Sequence, residues 1–252
     1  MQLDPVAAKA GVRLIVRDEL DSTNAEALRL ARTGEEGPLW IVARQQTAGR
    51  GRRDNSWVSE PGNLYATLLI GDPSQLRIMA ELSFVAALAV LGAVESVAPS
   101  LRHQLALKWP NDVLAGGRKL AGILIESEGS SAAIGFGINC ISHPDTAFPA
   151  TDIAQAGVTV TAEELFAALS ASMLSELRRW NRGAGFTAVR TAWLERAAGI
   201  GSEIRVRLPD RELHGVFQGL DGNGRLLLER SGGLTETITA GEVFGLPPPA
   251  GR

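Results

Sequence analysis

An internal disulfide is excluded, because the 252-residue chain has a single cysteine, Cys140. That usage suits a reducing compartment. A cationic surplus is missing too: 25 Lys and Arg stand against 28 Asp and Glu, for a formal net charge of -3. A general DNA or RNA binder carries a basic excess, so nucleic acid is not the default partner. The opening "MQLDPVAAKAGVRLIVRDEL" has no basic region followed by a long apolar run, and so does not read as a secretory signal. The longest apolar stretch, around "FVAALAVLGAV", is short and rich in Ala and Gly, which disfavours a membrane span. The expectation is a soluble, cytoplasmic protein without a membrane or DNA partner. Familiar site signatures are also missing. No GxxxxGK[ST] loop occurs, and "GRGRRD" lacks the third glycine of a dinucleotide fingerprint. His143 follows Cys140 by three residues without further metal-type spacing, and no nucleophile elbow is present. Metal ligands are therefore unassigned.

What is present is a 45% hydrophobic chain, enough for one substantial core and a small appended domain. Thr23 and Glu26 have capping-box spacing, predicting a short helix there. Residues 39–44 and 63–70 read as strands, and 76–97 as a long helix whose face carries Leu82, Val85, Leu88 and Leu91. "LALKWPNDVLAGGRKLAGILIES" reads as strand, Pro/Asn/Asp turn, strand, Gly-Gly turn, strand, with "AAIGFGINC" pairing back across "EGSS". Thr161 and Glu164 open a further helix to about Trp180, and another covers roughly 186–197. After Gly201 the texture changes to short strands separated by "PD", "DGNG" and "SGG" turns, the pattern of a small β-barrel, and "LPPPAGR" reads as a frayed tail. The expected fold is α+β: a mixed β-sheet with flanking helices over residues 1–200, followed by a small barrel over 201–252.

Three segments concentrate chemistry: "DSTN" (21–24), "QTAGRGRRDNSW" (46–57) and "KWPNDVLAGGRKLAGILIE" (108–126), with "GFGIN" (135–139) a possible fourth. Each has a plain alternative. Ser22 and Thr23 cap helices well, arginine-rich loops are commonly solvated, and "WPND" is a good turn by itself. The cationic loop suits nucleic-acid phosphates, nucleotide phosphates, or solvent.

Taken together, "STN", "Q.AGRGR...W", "KWPND", "RKLAGIL" and "GIN" closely resemble the biotin protein ligase family. The resemblance is strong over about 17–140 and continues more weakly to about 245. It implies a biotin/lipoate-ligase-like catalytic domain and an SH3-like C-terminal barrel. It also implies two-step chemistry: the biotin carboxylate attacks the α-phosphate of ATP, then a carrier lysine attacks the resulting biotinyl-5′-AMP. ATP and Mg²⁺ are the implied cofactors, biotin the substrate, and a biotin carboxyl carrier domain the partner, with the enzyme a monomer or homodimer.

By the same resemblance, Ser22, Thr23, Asn24 and Gln46 contact biotin, as do Arg50, Gly51, Arg52 and Lys119. Arg50, Arg52, Trp57, Lys108, Asn111 and Asn139 face the nucleotide. Lys119, Arg50, Lys108 and Asp112 form the catalytic set. The charges suit the task, since a carboxylate approaching a polyphosphate needs fixed cations to offset repulsion. Asp112 is expected to orient the phosphate-binding lysine or accept a proton from the target amine. Gly49 and Gly51 are expected to supply positive φ and close approach, in a loop that orders over ligand. One departure stands out: Asp54-Asn55 occupies the place of the family's Gly-Arg, removing a cation and adding an anion. Only about twenty residues precede "DSTN", too few for the helix-turn-helix of repressor relatives. A lipoate or octanoyl transferase lacks the combined "GRGR" and "KWPND". A nucleic-acid binder using "RQQTAGRGRR", or a non-catalytic biotin-binding module, remains as a rival.

Overall fold

The computed structural model describes residues 1–53, 55–71, 79–146 and 148–246. Leu76, Asp54 and the end of the "LPPPAGR" tail lie outside the described residues. A short helix α1 (Pro5–Lys9) precedes β1 (Arg13–Leu20). Neither is signalled by hydrophobic periodicity, because β1 is a largely exposed edge strand. It pairs in parallel with β2 (Leu39–Gln46), Ile15 facing Ile41. Between them α2 (Thr23–Arg32) is capped by Ser22, whose Oγ accepts from the Ala25 N–H at 3.4 Å. The Thr23–Glu26 spacing suggested Thr23 as the cap. With Ser22 in that role, Thr23 becomes the first helical residue and its hydroxyl is free for other work.

β3 (Leu64–Gly71), β4 (Leu105–Lys108), β5 (Asp112–Ala115), β6 (Arg118–Glu128) and β7 (Ser131–Ile138) complete a seven-stranded mixed sheet. Its order is β1-β2-β3-β7-β6-β5-β4. All its pairs other than β1–β2 are antiparallel. α2 covers one face over Ala27, Leu28, Ile41 and Leu69. The other face packs against α3 (Met79–Val97), α4 (Ala162–Trp180) and α5 (Phe186–Leu194), the last ending three residues earlier than its sequence reading. Trp40 is the keystone there, with ring centroids 5.5 Å from both Phe136 and Phe166. Such aromatic pairs contribute about 0.5–1.5 kcal/mol each beyond area burial. α3 is long and apolar enough to cross a membrane by length and composition, yet most of it is buried inside this fold as a core helix. α4 starts on the capping box that its sequence predicts, Thr161 and Glu164 each bonding the other's backbone N–H.

The second sheet comprises β8 (Glu203–Arg207), β9 (Glu212–Leu220), β10 (Leu226–Glu229), β11 (Thr235–Ile238) and β12 (Glu242–Phe244). It is antiparallel, in the order β11-β10-β9-β8-β12. The stretch "TETITAGEVF" after the "SGG" turn divides into β11 and β12, which lie at opposite edges. Among the described residues these edges do not pair, so the SH3-like sheet is open and not a closed barrel. The first sheet holds it through the β4–β5 turn: the Trp109 indole N–H donates to the Gly224 carbonyl at 3.1 Å.

Candidate active site

A cavity of about 530 Å³ opens beside the N-terminus of α2, and all the site residues picked out from the sequence border it. Its floor is a glycine stripe. Gly135 faces Thr67 on β3 and Leu124 on β6, while Gly137 faces Tyr65 and Gly122. The Trp57 indole lies across Gly122 and Gly137, where a Cβ on either would collide with the ring, and Asn24 sits over Gly135 in the same way. The Trp57 indole N–H is buried against Gly137 without a hydrogen-bond partner among the described residues. These glycines were not recognised from sequence. Their signal was the every-other-residue spacing in "GFGI", which puts both on one face of a strand.

One end of the cavity is a chain of neutral hydrogen bonds. Gln46 Oε1 accepts from the Thr23 backbone N–H at 2.8 Å, and Gln46 Nε2 donates to Ser59 Oγ at 2.8 Å. Thr67 Oγ1 lies 2.8 Å from Thr23 Oγ1 and 2.6 Å from Asn24 Oδ1. Asn24 Nδ2 donates to Glu126 Oε2 at 2.8 Å. The same carboxylate oxygen takes Arg50 Nη2 at 3.0 Å, joining the neutral chain to the arginine loop. Thr67 carried no motif signal, and Glu126 ends the 108–126 segment without a role read for it; the strand register brings both here.

The other end is cationic. Lys108 and Asp112 are cross-strand partners on β4 and β5, joined by the tight Trp109–Asn111 turn. Asp112 lies between two ammonium groups, 2.7 Å from Lys119 Nζ and 3.4 Å from Lys108 Nζ. Lys108 is almost wholly buried, its Nζ 3.7 Å from the Phe148 ring centroid. Burial pushes its pKa down, and Asp112 recovers only part of that loss. For Asp112 itself, burial would raise the carboxyl, but Lys119 and Lys108 outweigh it and hold the pKa below the usual range. Burial likewise lowers Arg52, whose Nη1 donates to Asn111 Oδ1 at 3.1 Å. Asn139 borders the cavity, but its Nδ2 is committed to the Thr151 carbonyl at 3.0 Å.

Lys119 reaches this cluster because β6 is irregular. Asp112 pairs with Gly122, whereas Leu114 pairs with Lys119, so the register shifts and Leu120 is the extra residue. Without that bulge Lys119 and Gly122, three apart, would face opposite sides.

The loop is a hairpin. Arg50 and Ser56 form a bridge, Gly51 N donates to Asn55 O at 2.6 Å, and Trp57 N donates to Gly49 O at 2.9 Å. The expected positive φ at Gly49 and Gly51 does not occur; it falls at Arg53, at 56°. Gly49 is required for a different reason, since a Cβ there would strike the Trp57 carbonyl and Ser59 Oγ. The Cys140–His143 pair is split: His143 Nδ1 sits 2.6 Å from Asp152, and burial pushes the Cys140 thiol up to about 12.

A small cavity with a hydrogen-bonding end, a cationic end and an aromatic-over-glycine floor suits a ligase that joins a ring-bearing carboxylate to a nucleotide. The family model "Biotin/lipoate A/B protein ligase family" matches residues 17–141, and "Biotin protein ligase C terminal domain" matches 199–245. The chain is 42% identical to the biotin–[acetyl-CoA-carboxylase] ligase of Paracoccus denitrificans, over 89% of this chain and 97% of that one. It is 34% identical to the bifunctional ligase/repressor BirA of Bacillus subtilis, over 93% of this chain and 75% of that one. Among solved structures, the Aquifex aeolicus biotin protein ligase in complex with biotin and ATP superposes with a TM-score of 0.80 at 26% identity, covering 94% of this chain and 99% of that one. The chain belongs to the biotin/lipoate A/B protein ligase family, and these relatives lie on its biotin side.

Proposed function

We infer that the protein is a biotin protein ligase. It condenses biotin with ATP to biotinyl-5′-AMP and passes the biotinyl group to a lysine of a biotin carboxyl carrier domain. The observation that carries this reading is the joining, in one cavity, of the Thr23–Gln46 polar end to the Lys108–Asp112–Lys119 cluster. Ser22, Thr23 and Gln46 take the ureido ring, and Asn24 braces them. The valeryl chain runs past the Trp57 indole that covers the glycine stripe, so that its carboxylate arrives beside Lys119.

In the first step a carboxylate oxygen attacks the α-phosphorus, a new P–O bond forms, and the P–O bond to pyrophosphate breaks. Lys119, Arg52 and Lys108 offset the charge crowded around that phosphorus. Asp112 orients the two lysines; a carboxylate held down by two cations is a poor proton acceptor, which favours this role over the amine-deprotonating one. In the second step the carrier lysine amine attacks the acyl carbon, AMP leaves, and the amine proton passes to solvent. Mg²⁺ would arrive on the triphosphate. Asp145 and Glu242 border the cavity, Glu242 within electrostatic reach of Lys108 and Arg52, and fit the ligation by one or two carboxylates plus substrate phosphates usual for that ion. Residues 1–200 form the catalytic unit and 201–252 the C-terminal one, working in the cytoplasm as a monomer or homodimer.

The test is pyrophosphate exchange into ATP, followed by transfer to a purified carrier domain. Exchange should require biotin, and transfer should yield a biotinyl-lysine amide with AMP release. Exchange supported by lipoate or octanoate in place of biotin would overturn the assignment.

A further inference from the structure

We propose that Thr67, acting with Asn24 and Glu126, is a positioning residue that fixes which atoms at the ring-binding end donate and which accept. The inference rests on the biotin-ligase reading and concerns how that site tells a cyclic urea from a ring without N–H groups.

The argument is an accounting of protons. Asn24 Nδ2 lies 2.8 Å from Glu126 Oε2, an oxygen that also takes Arg50 Nη2, and 3.3 Å from the Leu124 carbonyl; both oxygens accept. The amide therefore has one orientation, with Oδ1 turned to Thr67. An amide oxygen also only accepts, so the 2.6 Å contact between Thr67 Oγ1 and Asn24 Oδ1 holds the Thr67 hydroxyl proton. Gln46 is pinned in the same manner, because its Oε1 takes the Thr23 backbone N–H. The Thr23 hydroxyl is left 2.8 Å from Thr67 Oγ1, whose own proton is held by Asn24, and 3.1 Å from Gln46 Oε1, which the Thr23 N–H already occupies. Three oxygen–oxygen contacts share two hydroxyl protons. Thr67 Oγ1, the nearer of the two, takes the Thr23 proton into the wall, and the lone pairs are what Thr23 presents to the cavity. Ser22 is the complement. Its oxygen accepts from the Ala25 N–H as the helix cap, which leaves its O–H for the ligand.

An acceptor and a donor thus stand on successive residues bordering the cavity, matching an N–H next to a C=O. A dithiolane or a hydrocarbon chain offers neither. Thr67 is itself fully buried and does not border the cavity, so it acts through Thr23 and Asn24.

Thr67→Val keeps the shape and removes both the proton held by Asn24 and the acceptor that draws on Thr23. The KM for biotin in pyrophosphate exchange should rise about tenfold, the scale of one buried group left unpaired. Saturated kcat should stay within about twofold, and the inhibition constant of octanoate, which has no N–H, should not move. Thr67→Ser restores the hydroxyl and should restore the KM. Calorimetric titration of biotin without ATP gives the same comparison independently of turnover. Should Thr67→Val fail to fold, Glu126→Leu at the partly exposed end of the chain removes the pin on Asn24 and should weaken biotin in that titration alike. Wild-type KM in Thr67→Val, or a Thr67→Ser variant as impaired as the valine, would overturn the proposal while leaving the ligase reading intact. Absence of biotin-dependent exchange in the wild type would instead overturn the reading beneath it.

Discussion

Lys119 and Lys108 both contact Asp112, yet their surroundings separate their behaviour. Lys119 is partly exposed toward the cavity mouth, with its Nζ 5.5 Å from the Trp57 ring centroid. Lys119→Ala should slow adenylation about a hundred- to a thousandfold, the cost of losing one preorganised charge at a transition state. Lys119→Arg should rescue poorly, because a planar fork does not replace a compact ammonium. Single-turnover formation of biotinyl-AMP measures this, and near-normal rates in the alanine variant would place Lys119 outside the reaction. Lys108 instead predicts a pH effect. Burial lowers its folded pKa, so its charge is lost at a pH below that of an ordinary lysine. Adenylation should fall as pH rises through that point. Stability should move the other way there, since the unfolded chain binds more protons between the folded value and about 10.4. Lys108→Arg should shift the descending limb upward; an unchanged limb would show that another group sets it.

At the scale of elements, the 49–57 hairpin is tethered to the sheet by Arg50 and Glu126. Biotinyl-AMP offers the arginines a phosphate in place of that carboxylate, with stronger charge-assisted bonds. Trypsin cleavage at Arg50, Arg52 and Arg53 should therefore slow sharply when biotin and MgATP are added. Glu126→Gln, by weakening the tether, should speed cleavage of the empty enzyme and leave the liganded rate little changed. Ligand without effect on these sites would show that the hairpin is not a lid. Asn55→Arg, which returns a cation lost in the Asp54-Asn55 departure, should strengthen the liganded protection.

For the whole molecule, the "KWPND" turn both borders the cavity and ties the two sheets together. Leu107 bonds the backbone at Arg196 and Ala198, at 2.7 Å and 2.8 Å, and Trp109 reaches across to Gly224. The segment between α5 and β8, together with the β9–β10 turn of the second sheet, thereby holds the strand ends that carry Lys108 and Asp112. Trp109→Phe leaves the Gly224 carbonyl unpaired and should cost roughly 1–3 kcal/mol. It should also raise the KM for ATP more than that for biotin. Equal changes in both constants, or an unchanged melting temperature, would argue that the two sheets act independently.

Segments whose chemistry is local were legible from the residues alone. Helix caps, Gly-Gly and Pro-Asn-Asp turns, alternating strands and the arginine loop each depend on neighbours within a few positions. Ser22 displaced Thr23 as a cap, and β1 was missed, because an exposed edge strand carries no apolar period. That Lys119, Arg52 and Gln46 belong together was likewise readable, since charge and motif travel with the sequence, and the structure brings all three to one cavity. Tertiary structure alone decided which atoms meet. Thr67 is an ordinary strand threonine until β3 pairs with β7 and α2 crosses above it. Glu126 is an ordinary strand glutamate until Arg50 and Asn24 converge on it. Lys119 points into the cavity because one extra residue at Leu120 reverses the face. Strand order and register are set by hydrogen bonds between residues far apart in the chain, and it is those bonds that turn separate motifs into one site.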